Sequence, residues 1–258
     1  MLLKLLKYDF RSMWKQFAII WPAALVIGLL NRFTVFGGDH WDTSPSGVVG
    51  VTTMMLLAAV LAAMGVVSLV FILQRFYKGL LGDEGYLMHT LPVRPWQLIT
   101  SKLICAIVVV VISTAAAVLA LVLMVPVDWG EFFRSGLMED MVIIWNRVEP
   151  GDVLYLVEFC LVMLAGLISG VLLLYLCMAL GHLFQKHRVA MSVAAFVLLN
   201  IVVTNLLSGI NRVVMPYMPY LEGGGHAVCW SAIGTEVLLG VLYFLGTNLI
   251  LSKKLNLE

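Results

Sequence analysis

The sequence predicts an all-α, polytopic membrane protein with six transmembrane helices. Three observations lead there. Of 258 residues, 62% are hydrophobic and only 12% charged, against about 45–50% and about 25% in soluble domains. So little charge cannot cover a water-facing surface of this size. Six apolar runs are each long enough to cross a hydrocarbon core about 30 Å thick, which takes about 20 helical residues. The lysines and arginines are also shared unevenly among the segments that join those runs. The same composition argues against an ordinary soluble enzyme or a disordered chain. With 16 basic and 15 acidic residues and a net charge of +1, no basic field exists for nucleic acid.

Residues 1–15 are expected to form an interfacial helix. At about 100° per residue, Lys4, Lys7, Tyr8, Arg11 and Lys15 share one face, and Leu2, Leu5, Leu6 and Met13 lie opposite. Asp9 falls among the apolar residues, either exposed at the interface or paired with a base from another cytosolic segment. The first span, Trp14–Val35, is long enough to stay as an anchor rather than be cleaved as a leader. The second, Gly47–Leu73, has no charge at all. The third, Leu103–Val127, contains the β-branched run Val108–Ile112, which favours a strand in water. In lipid a lone strand leaves its backbone unpaired, so helix is expected. The remaining spans are Val153–Leu180, Val189–Ile210 and Ala227–Ser252. With no hydrophilic stretch long enough for a second domain, residues 1–258 read as one transmembrane domain.

Cationic residues collect on the cytosolic side of short loops. An inward N-terminus places twelve of the sixteen inside (Lys4, Lys7, Arg11, Lys15, Arg75, Lys78, Arg94, Lys102, Lys186, Arg188, Lys253 and Lys254) and four outside (Arg32, Arg134, Arg147 and Arg212). Both termini are then expected in the cytosol.

The connecting segments differ in character. In the cytosolic loop 74–102, Asp83 or Glu84 can cap a short helix, Pro92 stops it, and Pro95 suits the first position of the next one. The short helix would expose Asp83 and Glu84 beside Tyr86, Leu87 and Leu91, an acidic-apolar surface suited to docking a soluble partner. The outer segment 128–152 repeats Phe132, Phe133, Leu137, Met141, Ile144, Trp145 and Val148 at three-and-four spacing, as an amphipathic helix does. The outer segment 208–226 holds Pro216, Pro219 and Gly223-Gly224-Gly225. It reads as too broken to span, and suits a re-entrant element or a lid.

Few chemical motifs are present. The phosphate loop G-x-x-x-x-G-K-[ST], the zinc motif H-E-x-x-H and the nucleophile elbow G-x-S-x-G are all absent from the sequence. His182 and His187 sit about 140° apart on a helix, so they do not share a face as metal ligands would. Cys105, Cys160, Cys177 and Cys229 lie in apolar runs without C-x-x-C spacing and are expected as small buried side chains. Gly166 and Gly170 suit a close helix contact, and Asn200, Thr204 and Asn205 suit hydrogen bonds between helices. Glu158 and Glu236 are acids inside the fourth and sixth spans, each about two turns from the outer end. Such groups face a bundle interior or water. They are either part of a transport path or structural, paired with Arg147 or Arg212 or held as a neutral acid bonded to a neighbouring helix.

The run RFYKGLLGDEGYLMHTLPVRPWQLITSKL resembles the membrane subunits of type-2 ABC exporters of Gram-positive bacteria. The residues that carry the likeness are Arg75, Phe76 and Tyr77, then Asp83, Glu84, Gly85, Tyr86 and Leu87, then Thr90, Leu91 and Pro92. Gln97, Leu98, Ser101, Lys102 and Leu103 complete it. The opening LLKLLKYDFRSMWK is similar to the family's N-terminal helix. The specific part covers about a tenth of the chain. The resemblance implies a permease of the bacterial cell membrane that lacks its own ATPase and holds no cofactor. A separate ABC ATPase subunit, with its ATP and magnesium, docks on Asp83, Glu84, Gly85, Tyr86, Leu87, Leu91 and Pro92. A second copy, or a related permease, completes the pathway for a peptide, antibiotic, lipid or drug-like substrate. The alternatives are a membrane anchor or sensor that recruits a cytosolic partner without transport, and an intramembrane enzyme. The enzyme would need paired acids and histidines within spans, and the spans offer single acids only.

Overall fold

The computed structural model describes residues 2–35, 45–81, 95–124, 150–184, 187–214 and 224–253. Six long helices occupy them: α1 (Leu2–Val35), α2 (Pro45–Phe76), α3 (Pro95–Met124), α4 (Pro150–His182), α5 (Arg188–Val214) and α6 (Gly224–Lys253). A five-residue π-helical turn, Tyr77–Leu81, continues α2. All six contain stretches long and apolar enough to cross a membrane, and no strand occurs among the described residues. Large apolar side chains such as Ile19, Met55, Leu156, Val189, Leu198 and Leu238 are exposed along these stretches. In water this surface would aggregate; in a bilayer it faces lipid. The chain is a multi-pass membrane protein.

The helices group into two units. The first comprises Met1–Ile72 and Ile104–Arg147. Its core is Phe17 and Trp21 of α1, Met64 and Phe71 of α2, and Val109 of α3, extended by Ala24, Leu57 and Ala120. The contact pairs fix the directions. Phe17 meets Phe71 and Asn31 Nδ2 donates to the Thr53 carbonyl at 3.1 Å, so α1 and α2 are antiparallel. Trp21 Nε1 donates to Ser113 Oγ at 3.1 Å and Gly28 abuts the Ala120 carbonyl, so α1 and α3 run parallel. A side chain at Gly28 would meet backbone, and the glycine is what lets these helices touch.

The second unit comprises Leu73–Leu103 and Val148–Glu258. It contains the flanks of the loop between α2 and α3 together with α4, α5 and α6. At the α4–α5 corner, a side chain on Gly181 would run into Ser192 and the Arg188 carbonyl. His187, just before α5, has φ 61°, the left-handed conformation that few residues other than glycine adopt.

Several expectations change. Residues 2–15 are not a separate interfacial helix: they are the opening turns of α1, which runs unbroken to Val35. No glycine or proline precedes Pro22, and Phe10 packs on the same core as Phe17. Residues 208–214 complete α5 and 224–226 begin α6, so the helices take up part of the segment 208–226 that the sequence read as too broken to span. Likewise α4 takes residues 150–152 from the outer segment 128–152. Cys105 and Cys177 are buried, but Cys160 is exposed, because lipid accepts a small apolar side chain as readily as a core does. The residues expected to dock a partner (83–92), the expected outer segment 128–149, residues 215–223 and Arg147 lie outside the described residues.

Candidate functional site

Helices α4 and α6 lie side by side and run parallel. Tyr155 meets Gly225, Glu158 meets His226, Ser169 meets Glu236 and Leu176 meets Gly246, so both numbers rise together. Small residues on α6 set the separation. A Cβ on Gly225 would lie 2.5 Å from the Tyr155 hydroxyl, and one on Gly246 would lie 3.0 Å from Leu176 Cδ1. Close approach brings polar groups of the two helices into hydrogen-bonding reach in two layers.

The first layer is built around Glu158, which is 2% exposed. Its Oε2 lies 2.8 Å from His226 Nδ1, and its Oε1 accepts from Trp230 Nε1 at 2.9 Å. His226 and Trp230 are four residues apart on α6 and so share a face. Tyr155, three residues before Glu158, stacks on the His226 ring with centroids 3.8 Å apart and planes 11° from parallel. Both carboxylate oxygens are thereby occupied when Nδ1 carries the proton. A buried carboxylate with that many fixed partners behaves as a clamp between helices. The sequence left open a pair with Arg147 or Arg212 or a bond to a neighbouring helix; the structure shows bonds to α6, and Arg212 is exposed near the end of α5.

The second layer is the pair Ser169–Glu236, in which the serine hydroxyl donates to Glu236 Oε2. Ser169 lies eleven residues beyond Glu158 on α4, about 16 Å deeper at 1.5 Å per residue. Glu236 is therefore deeper than its expected span implied, since α6 starts at Gly224 rather than Ala227. The carboxylate is half-buried. It opens onto a groove of about 430 Å³ between α4 and α6, walled by Leu161, Ala165, Ile168, Val237 and Phe244.

Two sequence expectations meet different geometry. Nothing lies within 4 Å of a Cβ placed on Gly166 or Gly170; the neighbouring Ser169 makes the contact with α6 instead. Asn200 and Asn205 donate to the Phe196 and Ile201 carbonyls of their own helix. His182 stands near Tyr77, with ring centroids 6.1 Å apart. Among the described residues no group of three or more His, Cys, Asp or Glu side chains is arranged to hold a metal ion.

The flanks of the loop between α2 and α3 are firmly seated within the second unit. Phe76, wholly buried, stacks on Tyr175 of α4 at 4.1 Å. Leu80, in the π turn, is also wholly buried. On the far flank α3 starts at Pro95, where a proline loses no helix hydrogen bond, and Leu98, Ile99, Ser101 and Lys102 are buried within two turns. Gly79 leaves room for the Lys102 stem, whose Cε would sit 3.2 Å from a Cβ there.

The chain matches no protein-family model, no curated protein and no solved structure.

Proposed function

We propose that this chain is the transmembrane subunit of an ATP-driven exporter of the type-2 ABC kind, energised by a separate ATPase subunit. The observation that carries the reading is the run from Arg75 to Leu103, which joins two membrane-length helices. The seating of its flanks gives that run a mechanical use. A soluble subunit pushing on residues 83–92 would act on two anchored ends, one stacked on α4 through Phe76 and the other buried through Leu98 to Lys102. Displacement of the loop would pass to α4 and from there to its polar contacts with α6. On this reading the termini face the cytosol, the membrane is the bacterial cell membrane, and a second copy or a related permease completes the pathway. ATP and magnesium belong to the partner.

The test is coexpression with ABC ATPase subunits from the same genome, followed by size-exclusion chromatography of the solubilised membranes. A stable complex is expected, and charge reversal by Asp83→Lys with Glu84→Lys should dissociate it. An opposite charge lost from a buried contact can cost several kcal/mol, about 2–5. Elution of the wild-type chain without the ATPase would refute the reading.

A further inference from the structure

Glu236 poses a chemical problem that the second unit leaves open. Its carboxylate is half-buried within an apolar span, where an ionised group is costly unless it is paired or wet. Among the described residues its hydrogen-bond partner is the Ser169 hydroxyl, and no cationic side chain lies within 4 Å of it. The histidine and the indole that satisfy Glu158 are one layer away and already engaged.

The groove beside Glu236 restricts what can supply the missing charge. Its volume of about 430 Å³ falls in the range of small-molecule clefts, about 300–1,000 Å³. Among its described lining residues Glu236 is the single polar side chain. Sugars, peptides and nucleotides carry many hydrogen-bonding groups, which such walls would leave unsatisfied. An anion would be repelled, and a neutral hydrocarbon would leave the carboxylate as it stands. The complementary ligand carries one positive charge on an otherwise apolar body. Gly240 keeps one wall low, and Ser169 holds one carboxylate oxygen while the other remains for the ligand.

We infer that the groove between α4 and α6 binds a hydrophobic monocation, with Glu236 as its counter-charge. This names a substrate class for the exporter reading, on which its physiological use rests; the binding itself needs no ATPase.

The experiment is therefore done on the purified full chain in detergent, without nucleotide or partner, by equilibrium dialysis against empty micelles. The probes are tetraphenylphosphonium and its anionic analogue tetraphenylborate, nearly equal in size and shape. Saturable phosphonium binding is expected, at about one site per chain, with roughly tenfold or weaker affinity for the borate. Glu236→Gln should abolish that preference and weaken phosphonium binding roughly tenfold. Ala165→Phe fills the groove while keeping the carboxylate and should block binding. It decides the matter if the glutamine variant does not fold. No saturable binding, equal binding of the two probes, or full binding by a folded Glu236→Gln or Ala165→Phe chain would each overturn the inference. Binding without export would preserve it while removing the exporter reading.

Discussion

Replacing Glu158 by alanine should destabilise the contact between α4 and α6 by a predictable amount. The substitution removes the acceptor for His226 Nδ1 and Trp230 Nε1 together. In water-soluble proteins hydrogen bonds to charged groups contribute about 1.5–3 kcal/mol each. Inside membranes double-mutant cycles average about 0.6 and reach about 1.7 kcal/mol. The lower scale applies here, because Glu158 and Trp230 both lie within membrane-length apolar helices. Two bonds then give a loss of about 1–3 kcal/mol for Glu158→Ala. The cycle with Trp230→Phe, which keeps a ring but removes the N–H, should show a coupling of about 0.6–1.7 kcal/mol. Reversible unfolding in mixed micelles of dodecyl maltoside and dodecyl sulfate measures all four species. A coupling within about 0.3 kcal/mol of zero would mean that the indole and the carboxylate are neighbours without being partners, and the clamp would be refuted.

Three further outcomes are expected. Gly28→Val drives a branched side chain into the Ala120 carbonyl and should cost about 1–3 kcal/mol, seen as a lower unfolding midpoint; an unchanged midpoint would mean that α1 and α3 separate freely. His187→Gly should be neutral or stabilising and His187→Val destabilising by about 1–2 kcal/mol, because φ is 61° there; equal midpoints for the two would show that the corner readily changes conformation. In a cysteine-free background, an impermeant thiol reagent on intact cells should label a cysteine at Glu139 and spare one at Lys253; the reverse pattern would invert the topology.

What the sequence made legible follows from what the bilayer demands. An apolar run of membrane length has no alternative to helix, so six spans could be read without knowing their neighbours, the β-branched run in α3 included. Pro95 marked a helix start because its missing N–H costs nothing there. Glu158 and Glu236 stood out because acids are rare among so many apolar residues. Their partners did not, because the register of α4 against α6 depends on the close approach at Gly225 and Gly246, a contact between helices more than forty residues apart in the sequence. One local sign was there: His226 and Trp230 share a helix face at the same end as Glu158. The amides of α5 misled for a related reason. An asparagine that reaches back to its own carbonyls, as Asn200 and Asn205 do, needs no neighbour. The basic face of residues 1–15 suggested a surface helix, but a polar face does not end a helix, and nothing between Leu2 and Trp21 does.

The most direct test of the account uses sealed inverted vesicles from cells that carry this chain and the ABC ATPase that copurifies with it. They are incubated with cell extract and either ATP or a non-hydrolysable analogue, and their contents are compared by untargeted mass spectrometry. The account predicts at least one compound that accumulates with ATP alone and is lost in the Asp83→Lys, Glu84→Lys double variant. Identical contents under both nucleotides, with the complex intact, would contradict it and leave the chain as a membrane anchor for its partner.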